Sequence, residues 1–209
     1  MPPKVFLVER NPQMLYTVLS NTEDRYMAYL FWGFLLIFKF PFAYLTFNLW
    51  GLTLGLPDFV GFLLVWRGLV VLTPESRIFK KLIPASIVFI FASTAKYILT
   101  MFNLLASDKM STFVVGILYN TATLFFCYLA VRGIRDMEIK RNAEFYSAKL
   151  FRAWVAVFVF TICSMLPVNG LKLVGALGIV VVSAMFLVRM WDSMKNYKAC
   201  LEKNGPATE

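Results

Sequence analysis

The sequence predicts an all-α fold: a polytopic membrane bundle of six transmembrane helices, with three tandem helical hairpins as a finer arrangement. Three observations carry this reading. The 209 residues are 59% hydrophobic, with a mean hydropathy of +0.68, against about 45–50% apolar in an average globular chain. Six apolar segments approach the roughly 20 residues a helix needs to cross a bilayer. Lysine and arginine gather on alternate sides of those segments, as the positive-inside rule requires.

The segments fall at Tyr26–Leu49, Pro57–Thr73, Ile83–Leu105, Ser111–Val131, Ala153–Leu166 and Leu173–Val188. The fifth is short as bounded, and Leu150 and Phe151 extend its apolar pattern backwards. Sixteen of the 21 Lys and Arg lie before the first segment, after the second, after the fourth or after the sixth; the opposite loops hold only Lys109 and Lys172. Both termini are therefore expected in the cytoplasm, of a multi-pass protein of the plasma membrane. The domain organisation follows: a cytoplasmic segment over residues 1–25, a transmembrane domain over 26–192 and a cytoplasmic tail over 193–209. Pro12–Ser20 has the apolar spacing of an interfacial helix and fits plain connecting structure equally well. Arg135–Ala148 reads as a cytoplasmic extension of helix four, with plain connecting structure as the alternative here too. Met1–Asn21 lacks the pattern of a cleavable signal peptide.

A weak repeat runs through the hairpins. Even segments end in Trp66-Arg67-Gly68, Val131-Arg132-Gly133 and Val188-Arg189-Met190, and odd ones in Phe47-Asn48, Phe102-Asn103 and Val168-Asn169. Internal repeats occur in transporters, but every membrane hairpin needs an outer turn residue and an inner basic one.

Three cations stand alone inside long apolar runs: Lys39, Arg67 and Lys96. A charge at bilayer depth costs from a few to more than about ten kcal/mol, so each needs a partner, a ligand or a route to the headgroups. Lys39 lies 14 residues after Arg25 and nine before Asn48, about 21 and 13 Å from the two ends of a continuous helix. Pro41 follows it and frees backbone carbonyls. Lys96 sits in the outer half of its segment, where Asp58 is a more plausible partner than Asp108. Arg67 is near the middle of a short segment and within reach of the inner boundary. The alternative for all three is snorkelling along the helix. Thr94, Tyr97, Asn120, Thr121, Thr123, Thr161 and Ser164 share this depth range, and Asn120 stands out because an amide in hydrocarbon must find a hydrogen-bond partner. The candidate ligand-binding set is thus Lys39, Lys96, Asn120, Arg67 and Tyr97.

Histidine is absent, which removes the commonest general base and metal ligand. Cys127, Cys163 and Cys200 form no metal-binding or disulfide spacing, and no catalytic or nucleotide fingerprint is present. No enzyme activity, cofactor or metal is expected. The charge of +9 serves topology rather than nucleic-acid binding. The first functional expectation is a non-enzymatic transport or ligand-binding component with a cationic intramembrane site for an anionic small molecule or a lipid headgroup. The second is an accessory or regulatory subunit that contacts a membrane-protein partner through its helices. Convergence of Lys39, Lys96 and Asn120 on one cavity favours the first, and their separation favours the second.

Overall fold

The computed structural model describes residues 27–38, 47–49, 52–54, 58–101, 109–166 and 168–204. Six helices make up the body: α1 (Met27–Ile37), α2 (Asp58–Val71), α3 (Arg77–Met101), α4 (Lys109–Arg141), α5 (Ser147–Met165) and α6 (Asn169–Asn204). Between α1 and α2, β1 (Phe47–Leu49) pairs antiparallel with β2 (Leu52–Leu54). Among the described residues, the fold is all-helical apart from this pair of three-residue strands.

Four helices, α3 to α6, are long and apolar enough to cross a membrane, which is the architecture of an integral membrane protein. The other two fall short of the six-span expectation. Helix α2 has 14 residues, about 21 Å of rise against a hydrocarbon core of about 30 Å. Helix α1 ends at Ile37, and Phe47–Leu49 is a strand, so Tyr26–Leu49 is not one continuous helix. The physical reason lies in the sequence. Pro41 offers no N–H to the carbonyl of Ile37, four residues earlier, and its ring clashes there. Lys39 and the Pro12–Ser20 stretch lie outside the described residues.

The extension of helix four is shorter than expected. Helix α4 stops at Arg141, and α5 starts at Ser147, ahead of Leu150 and Phe151. Asn142 and Tyr146 adopt left-handed backbone, with φ of 46° and 58°. Asn tolerates this region and Tyr does not, so the turn needs a clamp. The Glu138 carboxylate supplies it by accepting hydrogen bonds from the backbone N–H of Phe145 and of Ser147, both at 3.2 Å. The tail is not loose either. Helix α6 runs on to Asn204, and Tyr197, Cys200 and Leu201 are buried.

The core is aromatic where α2, α3 and α4 meet. Phe62 stacks on Phe89 with ring centroids 4.8 Å apart, and Phe126 meets both edge-on. Phe34 of α1 and Phe38, one residue past its end, pack on Phe186 of α6. Each such pair adds about 0.5–1.5 kcal/mol beyond its buried area. Trp154 of α5 donates its indole N–H to the Leu124 carbonyl of α4 at 3.0 Å.

Two close approaches need glycine. A Cβ at Gly33 of α1 would lie 2.7 Å from the Gly61 carbonyl of α2. A Cβ on Gly175 of α6 would strike the Ser164 backbone of α5. Helices in lipid gain from such contacts because packing, rather than exclusion of water, drives their association. Helices α5 and α6 pack along much of their lengths. By contrast, a Cβ on Gly116 of α4 meets nothing within 4 Å.

Gly175→Val is therefore expected to destabilise the detergent-purified protein by about 1–3 kcal/mol, the usual cost of overpacking. Gly116→Ala is expected to be neutral or stabilising, since it improves helix propensity in open space. Thermal unfolding of the two variants checks the packing, and equal melting temperatures would contradict it.

Candidate functional site

Two polar clusters tie the helices together, one at each end of the bundle. The first contains Lys96. Asp58 stands in the first turn of α2, where the helix dipole favours a carboxylate. Its Oδ2 is 3.7 Å from Lys96 Nζ of α3, with side-chain exposures of 10% and 36%. The same ammonium lies 4.2 Å from the ring centroid of Tyr119 on α4. The Tyr119 hydroxyl donates to Asp58 Oδ2 at 3.5 Å, the long limit for a hydrogen bond. The Lys96 charge is thus met by a carboxylate and an aromatic face, and both contribute when partly desolvated. Asp58, named for this role from helix depth, is the partner found.

Of the other described candidates, Tyr97 borders this cluster and Arg67 and Asn120 lie apart. Tyr97, next to Lys96 in α3, meets Phe59 edge-on at 5.9 Å and so borders the same cluster. Arg67 is exposed on α2, four residues from its end, with its guanidinium 5.2 Å from the Tyr29 ring of α1. Asn120 is exposed on α4. Of the Ser and Thr hydroxyls expected to line a cavity, Thr121 is exposed on α4 and the other four bond to their own helices. Thr94 donates to the Ile90 carbonyl, Thr123 to Tyr119, Thr161 to Val157 and Ser164 to Thr161, at 2.7–2.9 Å. This is the usual way a hydroxyl is satisfied without water.

The second cluster lies at the basic end. Glu75 and Arg141 form a forked ion pair, with Arg141 Nε donating to Glu75 Oε2 at 2.8 Å and Nη2 donating to Oε1. Their side chains are 8% and 6% exposed. Tyr197 of α6 lies under the guanidinium, 5.4 Å from ring centroid to Cζ. Ser76 caps α3 by accepting the Ile78 N–H at 3.1 Å, and donates to Asp136 of α4 at 2.6 Å. Lys140 donates to the Pro74 carbonyl at 2.7 Å, and Asn196 to the Glu144 carbonyl at 3.0 Å. The turn after α2, the end of α4 and the end of α6 therefore share one end of the bundle.

The reading of buried cations passed over this cluster. One signal in the sequence pointed to it: Glu75 is the lone acid between Asp58 and Asp108, in a loop otherwise basic. Among the described residues, no group of three His, Cys, Asp or Glu side chains is placed to share a metal ion. Both clusters bind helices to one another.

The two pairs respond differently to mutation. Arg141→Ala leaves Glu75 buried and unpaired, at a cost of about 3–5 kcal/mol. Asp58→Asn should cost less, about 1–2 kcal/mol, because Lys96 is partly solvated. Adding Lys96→Met to Asp58→Asn should recover most of that loss, and a double-mutant cycle on thermal stability measures the coupling. Additive losses at Asp58 and Lys96 would show that the pair is not energetically joined.

No protein-family model, curated protein or solved structure matches the chain.

Proposed function

We propose that this chain is a non-catalytic subunit of a membrane assembly, working through contacts between its helices and those of a partner. One observation carries this reading: Asn120. It is exposed on α4, 11 residues from the start of that helix at Lys109 and 12 before Arg132. At 1.5 Å per residue this is about 16–18 Å from either position, well inside a hydrocarbon core of about 30 Å. Unlike Thr123, three residues on, which bonds to the Tyr119 carbonyl, it makes no hydrogen bond among the described residues. An amide facing hydrocarbon is costly, and a partner helix offering a donor and an acceptor removes the cost. Gly116, one turn away, leaves room for a close approach.

Two further points support the reading. Lys96, the best-placed cation for an anionic solute, is engaged by Asp58 and Tyr119. Only 17% of the apolar windows of α3 and of α5 is buried within the chain, leaving wide surfaces for lipid and partners. Arg67 and Asn120 lie on exposed faces of α2 and α4, away from the cluster that Lys96 and Tyr97 border, so the solute-binding alternative rests on Lys39. We further propose that α1 and α2 complete a six-span bundle, because Gly33 and Phe34 join α1 to α2 and α6. In that arrangement the Lys/Arg distribution supports cytoplasmic termini, and we assign the chain to the plasma membrane as part of the same proposal.

The test is the native size of the chain extracted from membranes in mild detergent. The wild-type chain should migrate in a complex larger than a monomer. Asn120→Leu should release it as a monomer of equal or higher melting temperature. A monomeric wild type whose melting temperature rises with added anions, and no longer does so in Lys39→Met, would instead establish the solute-binding alternative.

A further inference from the structure

Helices α5 and α6 touch backbone to backbone at Gly175, but nearer the basic end a cavity of about 350 Å³ opens between them. Its lining has two parts. Lys149 and Arg152 from the start of α5 and Arg189 from α6 form a cationic rim, and Ala153, Ala156, Val182 and Met185 form apolar walls. The order along the helices matters. Ala153 and Ala156 follow Arg152 towards the far end of α5, and Met185 and Val182 precede Arg189 by one and two turns of α6. Charge therefore sits at the mouth, and the apolar lining runs from it into the depth of the membrane.

The rim is not neutralised from within. Arg152 is exposed, and Lys149 rests on the Tyr146 ring, 3.9 Å from its centroid. Among the described residues, Arg189 alone of the three has an acid beside it, with Nη1 3.5 Å from Asp192 Oδ2, and that pair is itself about two-fifths exposed. A polar anion with hydrocarbon attached matches both parts at once, and a small free anion matches only the rim. Basic pockets between helices at the membrane surface hold phosphate headgroups in this way, and arginine is suited to the phosphate oxygens.

We propose that the cleft between α5 and α6 binds an anionic phospholipid, with its phosphate at Lys149, Arg152 and Arg189 and an acyl chain along Ala153, Ala156, Val182 and Met185. This site is separate from the Asp58–Lys96 cluster and from Asn120. It depends on the helices lying in a membrane and not on the proposed subunit role.

The test is native mass spectrometry of the delipidated full-length protein, titrated with phosphatidylglycerol, phosphatidylcholine or glycerol phosphate. Phosphatidylglycerol should bind at least tenfold more tightly than phosphatidylcholine, and glycerol phosphate should not displace it. Lys149→Gln with Arg152→Gln should weaken the lipid by about thirtyfold, from the usual contribution of two interfacial cations. Arg135→Gln, an exposed base at the same end on α4, should leave binding unchanged. Two variants extend the test. Ala156→Phe fills the cleft without altering charge and should also weaken binding. Asp192→Asn frees Arg189 and should strengthen it several-fold. Equal affinity for the two lipids, indifference to the Lys149 and Arg152 changes, or indifference to both Ala156→Phe and Asp192→Asn would overturn the proposal. Displacement by glycerol phosphate alone would do so too, since it would mark a site for free anions.

Discussion

The forked pair between Glu75 and Arg141 is the interaction on which the basic end of the bundle depends. It joins the tight turn after α2 to the last residue of α4, and Tyr197 brings α6 onto the same guanidinium. These groups are 66 and 56 positions apart in the chain, so the contact closes long loops and fixes three helix ends at once. A buried ion pair is an expensive means of doing so, because desolvation consumes much of its attraction. What it provides is register. An arginine fork accepts one carboxylate in one geometry, whereas apolar faces in lipid slide past each other at little cost. Glu138 has the same effect on a smaller scale by gripping the two N–H groups that flank the left-handed Tyr146.

Much of the helical framework was legible in the sequence, and the reasons are local. Long apolar runs with basic flanks locate α3 to α6, since hydrocarbon demands that every backbone group be bonded within its own segment. Counting along helices was also enough to pair Lys96 with Asp58, because both lie near the same rim. The limits are local too. Pro41 stops α1 short of its apolar run, and composition does not distinguish Phe47–Leu49 in a strand from the end of a helix. The cluster around Arg141 was hidden because it joins residues from distant segments, each of which reads alone as an ordinary charge in a loop. The α5–α6 cleft was hidden for the same reason, since Lys149, Arg152 and Arg189 are topological charges until the helices are brought together.

The candidate cations divide according to what answers them. Lys96 is met inside the bundle, and Arg67 lies over a tyrosine near the end of a short helix. Thr94, Thr123, Thr161 and Ser164 are spent on their own helices. Asn120 and Thr121 are exposed side by side on α4, at the perimeter of the bundle and not in its interior.

Helix α6 has 36 residues, about 54 Å of rise, nearly twice the hydrocarbon thickness. Even a tilt of about 40° would leave roughly 15 Å of it outside the hydrocarbon. From Ile179 to Asn204 it contains neither glycine nor proline, the residues at which helices usually bend. Near Tyr197 it is braced against the ends of α2 and α4. The protruding part and the membrane-embedded part are therefore one rigid rod with a collar at the surface. Any torque applied to the rod outside the bilayer is delivered to Met185 and Val182 inside it, with no joint in between to absorb the movement.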